Sequence, residues 1–137
     1  MPTFGKRSEE ILSTLHPNLI TVLRTAIQIK DFTIVEGFRD KAAQDAAFTR
    51  GASKIKWPNG KHNTSPSMAV DIRPWDFVKN EPVPWDKTEE YILLAGIIIA
   101  CAYLLDIPIR WGHDWNRNAL MLDEVGKLVD MPHFELV

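Results

Sequence analysis

The spacing of apolar residues changes period several times along the chain, and each change marks an element. After Ser8, a good helix cap, Ile11, Leu12 and Leu15 recur at helical spacing. Glu9 and Glu10 fall in the first turn, where carboxylates suit the helix dipole. Pro17 interrupts this pattern and fits the first turn of a second helix, where its missing N–H costs nothing. Leu19, Val22, Leu23, Ala26 and Ile27 supply that helix's apolar face. The run Phe32-Thr33-Ile34-Val35-Glu36 is β-rich and stops at Gly37, which predicts a strand with Phe38 and Arg39 at its exit. Asp40 then caps a helix to about Thr49, packed through Ala42, Ala43, Ala46, Ala47 and Phe48 and stopped by Gly51.

Residues 51–67 are rich in Gly, Ser, Lys, Asn and Pro and read as an irregular loop of the length that often carries function. A strand follows over 68–72. Alternation puts Met68, Val70 and Ile72 on one face and Ala69 and Asp71 on the other. An acid in mid-strand needs a partner if it is buried, and a metal or an arginine would serve. Residues 74–86 read as a second loop, with Trp75 and Trp85 in it. Thr88 is placed to cap the next helix, with Glu89 and Glu90 in its first turn. Its apolar run over 91–105 holds fifteen uncharged residues, short of the roughly 18–20 that span a bilayer. It is therefore expected to be a central buried helix, with no stable membrane insertion. Pro108 blocks its continuation. Ile109-Arg110-Trp111 reads as a strand, Gly112 to Asn116 as a polar, aromatic loop, and 133–137 as the last strand. Asp123 and Glu124 precede a short segment to Val129.

With 137 residues, the chain has the size of one domain with one core, residues 1–137. Hydrophobic residues make up 45% and charged ones 25%, as in ordinary soluble globular proteins. The net charge of −2 and the lack of a basic run argue against nucleic-acid binding, which needs many phosphate-neutralising cations. A lone cysteine, Cys101, excludes a disulfide framework and a cysteine-based zinc site, and is expected in the core. The first residues carry charges but no apolar stretch of secretory type. No repeat and no domain boundary is visible.

The chemistry lies in two stretches. His62 sits in the loop that feeds the strand bearing Asp71, nine residues on. Asp130 and His133 stand near the end of the chain. Pro132 between them holds Met131 toward extended geometry, so the pair is not helical. The acid is expected in the approach to the strand and the imidazole at its start. Two imidazoles, one carboxylate ligand and one spare carboxylate match a catalytic zinc site, with an open position for water and a general base beside it. Each histidine alone is more often a core or surface residue. His113, with Asp114 beside it, is a competing imidazole, and composition does not decide among them. Arg39, at a strand exit, is a candidate substrate-facing cation, although an isolated arginine is usually a surface one.

Four segments in order resemble the zinc-dependent peptidoglycan peptidases of the D-alanyl-D-alanine carboxypeptidase/VanX/VanY type. They are most similar to single-domain tailed-phage endolysins that cleave L-alanyl-D-glutamate bonds. The segments are Phe32-Thr33-Ile34-Val35-Glu36-Gly37-Phe38-Arg39 with Gln44 and Gly51-Ala52-Ser53; Lys61-His62-Asn63-Thr64-Ser65-Pro66-Ser67-Met68-Ala69-Val70-Asp71; Arg110-Trp111-Gly112-His113-Asp114-Trp115; and Asp130-Met131-Pro132-His133-Phe134-Glu135-Leu136. Here a Ser-Pro-Ser segment lengthens the His-to-Asp spacing found in many relatives, and Asp130 stands where many carry Glu.

The resemblance implies an α+β fold of the Hedgehog/D-Ala-D-Ala peptidase kind, a small, mainly antiparallel sheet packed against helices. It implies Zn2+ on His62, Asp71 and His133, with Asp130 as general base. Arg39 would position the substrate or stabilise the oxyanion. The implied substrate is a peptidoglycan stem peptide. The implied setting is host lysis by a monomer that stays in the host cytoplasm until the membrane is permeabilised and then reaches the wall. No appended wall-binding module is expected, which would suit thin Gram-negative peptidoglycan. Three other readings stay open at this stage: a D-alanyl-D-alanine carboxypeptidase or dipeptidase, a zinc-binding interaction domain without turnover, and a metal-free domain. Asp114, Asp123 and Glu124 are more in keeping with a solvated face or substrate contacts than with a second cation.

Overall fold

The computed structural model describes residues 2–124 and 128–137. Its elements run α1 (Lys6–Leu12), α2 (Pro17–Ala26), β1 (Phe32–Glu36), α3 (Lys41–Thr49), β2 (Ala69–Asp76), β3 (Glu81–Pro82), α4 (Thr88–Leu104), β4 (Ile109–Gly112) and β5 (Asp130–Leu136). The strands form one sheet in the order β1-β2-β5-β4, with β3 on the far end of β2. Every pairing is antiparallel. This is the expected α+β arrangement, an antiparallel sheet backed by helices.

Alternation along the strands explains why one sheet face is core and the other is chemistry. Phe32 and Ile34, Val70 and Ile72, Ile109 and Trp111, and Phe134 and Leu136 all point into one cluster with Leu12, Leu19, Leu23 and Ile98 of the helices. The residues between them on β2 and β5, among them Asp71, His133 and Glu135, are thereby turned to the opposite face. The alternation predicted for Val70, Asp71 and Ile72 holds. α4 buries Tyr91, Leu94, Ala95, Ile98, Cys101 and Ala102. It is less enclosed than its composition implies, because Leu93, Tyr103 and Leu104 are exposed. No helix among the described residues is long and apolar enough to cross a membrane.

Several boundaries differ from the sequence pattern, each for a local reason. α1 begins two residues before Ser8, at Lys6, after extended Gly5. Ser8 does not cap it, because its hydroxyl is engaged with the Thr33 hydroxyl and accepts the Ile34 N–H. Thr88 is the first helical residue of α4 rather than its cap; Lys87 takes that place, with its N–H given to the Pro84 carbonyl. β2 runs through Pro74 to Asp76 instead of ending at residue 72. Pro74 stands opposite Phe32 in the ladder, and its carbonyl accepts the Val83 N–H. The loop over 51–67 contains one short 3-10 turn, Lys61–Asn63, which carries His62. β5 starts at Asp130, so the acid lies in the strand and not in its approach. The segment expected between Asp123 and Val129 includes residues 125–127, outside the described residues.

α3 packs through Gln44 and Ala47 alone, with Ala42, Ala43, Ala46 and Phe48 exposed, so its alanines are not the packing face expected of them; its two ends and the start of α2 are as expected. Asp40 accepts the Ala43 N–H as the cap of α3, and Gly51 beyond its end has φ +79°. Pro17 opens α2, whose cap is the His16 ring, accepting the Asn18 N–H.

Candidate metal centre

Three segments distant in sequence deliver the site. β2 and β5 pair so that Asp71 lies directly opposite His133. The 3-10 turn brings His62 over the same point. His133 Nδ1 lies 3.1 Å from Asp71 Oδ1, and His62 Nε2 lies 3.4 Å from the same oxygen. The two imidazole centroids are 5.2 Å apart. One donor atom from each of the three residues falls within 4.8 Å of the others. His62 and His133 are buried and Asp71 is partly exposed. This His–Asp–His cluster is compatible with a metal site.

The second nitrogen of each ring is anchored. His62 donates its Nδ1–H to the Gly37 carbonyl at 2.7 Å. A carbonyl only accepts, so Nδ1 is committed to it and Nε2 is the nitrogen that faces Asp71. His133 donates Nε2–H to Glu135 at 2.9 Å, which turns Nδ1 toward Asp71. The turn holding His62 is itself pinned: the Arg39 N–H donates to the His62 carbonyl, and Asn63 Nδ2 donates to the Arg39 carbonyl and to Gln44.

Arg39 is more constrained than its position at a strand exit implies. Two of its nitrogens donate to Glu36 at 2.8 Å each, and a third donates to Gln44 Oε1 at 3.0 Å. Its Nη2 also lies 4.0 Å from Asp71 Oδ2. Gln44, almost fully buried, completes the network by donating to Ser53 and to the Ile55 carbonyl. Arg39 thus brings positive charge to the rim of the site from a fixed seat. The Glu36 hydrogen bonds hold its own pKa above the usual arginine value.

The electrostatics are those of carboxylates sharing imidazoles. Burial alone would raise Asp71, but hydrogen bonds from His133 and His62 outweigh it and hold the carboxyl far below its ordinary range. Burial opposes the charged form of His133, yet Asp71 and Glu135 raise it from 6.5 to about 9. Asp130 is raised, first by burial and then by the Asp71 charge, with His133, His62 and Arg39 pulling the other way. That places Asp130 within electrostatic reach of the cluster without being a member of it.

Since His133 has a folded pKa above its ordinary value, the stability it adds to the metal-free protein is fully present below about 6.5 and is lost as pH rises through about 9. The thermal midpoint of chelator-treated protein should therefore fall across that window. The His133→Phe protein should lose that part of the slope. A flat wild-type midpoint would mean that His133 folds as a neutral ring.

Of the residues singled out in the sequence, His62, Asp71 and His133 are together, with Arg39 beside them and Asp130 at the start of β5. The competing His113 is not in the cluster; it packs edge-on against Trp111 at 5.5 Å. Asp114 accepts backbone N–H groups from Asn118 and Ala119. Glu135, Gln44 and Asn63 were given no role by the sequence pattern. Glu135 had a signal, since it lies two residues after His133 in a strand and so shares its face.

An antiparallel sheet thus carries a His–Asp–His cluster on the face away from its core. The chain matches the family of phage L-alanyl-D-glutamate peptidases over residues 2–137. The L-alanyl-D-glutamate peptidase of Escherichia phage T5 is 34% identical over 98% of this chain and 97% of its own. Among solved structures, the Serratia marcescens L-Ala D-Glu endopeptidase ChiX superposes with a TM-score of 0.75 at 26% identity, covering 98% of this chain and 90% of ChiX. The vancomycin-resistance D,D-dipeptidase VanXYg, solved with a D-Ala-D-Ala phosphinate analogue, has a TM-score of 0.50 at 16% identity over 90% of this chain and 50% of its own, and shares the fold. The chain belongs to the phage L-alanyl-D-glutamate peptidase family and is a peptidase by that membership.

Proposed function

We propose that this chain hydrolyses the L-alanyl-D-glutamate bond of peptidoglycan stem peptides, using zinc held by His62 Nε2, Asp71 Oδ1 and His133 Nδ1. The observation that carries this reading is the spacing of those atoms. A tetrahedral zinc with bonds of about 2.0–2.1 Å has ligand–ligand edges of about 3.3–3.4 Å. Asp71 Oδ1 lies 3.1 Å from His133 Nδ1 and 3.4 Å from His62 Nε2, separations that such an ion could bridge. Two nitrogens and one carboxylate oxygen are an ordinary catalytic zinc donor set, and three protein ligands leave a coordination position open.

When bound, zinc acts as a Lewis acid that polarises the scissile carbonyl and makes water a usable nucleophile near neutral pH. The chain's own groups do the rest. Asp130 takes the proton of the attacking water and passes it to the departing D-glutamate amine. Its raised pKa suits a group that must hold and then release that proton. Arg39, fixed by Glu36 and Gln44, supplies charge for positioning the substrate or stabilising the oxyanion. Residues 1–137 act as one catalytic domain and as a monomer. The setting is phage lysis, with the enzyme held in the host cytoplasm until the membrane is permeabilised and then acting on the wall.

The test is mass spectrometry of fragments released from purified Gram-negative peptidoglycan, with and without a zinc chelator. New amino-terminal D-glutamate that disappears on chelation and returns with zinc is the expected result. Release of terminal D-alanine alone would move the protein to the D,D-carboxypeptidase branch, and cleavage indifferent to chelation would remove the metal.

A further inference from the structure

A carboxylate that the proposed reaction does not use lies against the cluster. Glu135 is buried on the same face of β5 as His133. Its Oε1 accepts the His133 Nε2–H at 2.9 Å. Its Oε2 lies 3.4 Å from Arg110 Nη1 and 3.6 Å from Lys61 Nζ. The ladder explains the fit. Arg110 on β4 is the register partner of Glu135, and on the other side the partner is Ala69 of β2. Ala69 has no side chain beyond Cβ, so the carboxylate has room to turn toward His133. Lys61 also donates to the Leu136 carbonyl and is the residue before His62. One carboxylate therefore connects both histidine-bearing segments, on β5 and on the 3-10 turn.

We infer that Glu135 is a positioning residue, which fixes the His133 ring so that Nδ1 is the nitrogen offered to the metal. The inference rests on the metal reading proposed above. A ligand imidazole must present a lone pair, and the group at its other nitrogen decides which one it presents. Glu135 can only accept when ionised, so it holds the proton on Nε2. Arg110 and Lys61 hold the carboxylate in turn. Without Glu135 the ring is free to turn about its χ2 bond and to carry its proton on either nitrogen. A purely structural role makes a different prediction, because removing one member of a buried ionic cluster lowers stability and would leave zinc affinity unchanged in the protein that still folds.

The experiment is zinc titration of the full chain against a competing chromophoric chelator, with thermal midpoints measured on the metal-free proteins. Glu135→Leu should bind zinc about 10- to 100-fold more weakly, the range found for partners of ligand histidines. Glu135→Gln keeps an acceptor and should recover most of that affinity. A Glu135→Leu protein that binds zinc as tightly as wild type would overturn the inference and leave the metal reading intact. A folded wild type that does not bind zinc would remove the metal reading and this inference with it. A second measurement on wild type is independent of how the variants fold. Long-range 15N–1H spectra of the zinc-loaded protein should show His133 coordinated through Nδ1 with a protected proton on Nε2. Coordination through Nε2 would overturn the inference outright.

Discussion

Asp130→Asn should lose about 10²- to 10⁴-fold in kcat while retaining a full complement of zinc, the range assigned to a positioned general base. That corresponds to about 3–5 kcal/mol of transition-state stabilisation. The substitution is nearly isosteric and removes a group that burial and the Asp71 charge make costly to ionise. Neither metal binding nor stability should fall with it. Asp71→Asn differs, because Asp71 lies between both imidazoles and removing its charge should cost zinc and turnover together. Turnover of muropeptide, zinc content and thermal midpoint measured on the same preparations separate the two roles. An Asp130→Asn protein with near-normal kcat would sink the base assignment, and one that lost its zinc would make Asp130 a ligand.

Much of this arrangement is legible along the chain, and what is not has a common cause. Local signals carry the helices: Pro17 at the start of α2, Asp40 capping α3 and Gly51 past its end all rest on residues a few positions apart. Period-two alternation separates Asp71 from Val70 and Ile72 correctly. The site also depends on register between strands 62 positions apart, and a one-residue slip would turn His133 away from Asp71. No local pattern encodes that choice, so the motif resemblance had to supply it. Arg39 shows the same limit. Its identity is visible at a strand exit, but its engagement by Glu36 and Gln44 follows from how α3 and the turn at His62 pack. Ser8 failed as a cap for a related reason. Its hydroxyl serves the backbone of β1, 26 residues away, and a tertiary partner displaced a local preference.

Gly112→Ala is the sharpest test of how the fold positions the base. Gly112 pairs with Asp130 across an irregularity in the β4–β5 ladder. A Cβ at Gly112 would collide with the Asp130 carbonyl oxygen and lie 3.0 Å from its Cβ. The obstacle is backbone, so no rotamer change relieves it and the two strands must part at that point. Overpacking of this kind costs about 1–3 kcal/mol of stability. A displacement of about 1 Å at a catalytic group costs on the order of 10²-fold in rate. The expected protein therefore melts lower than wild type, keeps zinc on His62, Asp71 and His133, and loses turnover through kcat. Gly96→Ala is the matched control, because a Cβ there meets nothing within 4 Å and the residue lies in α4. It should stabilise by up to about 1 kcal/mol through helix propensity and leave kcat unchanged. If Gly112→Ala keeps both its midpoint and its kcat, the close approach of β4 to Asp130 does not set the position of the base. If it melts lower but turns over normally, the contact serves stability alone.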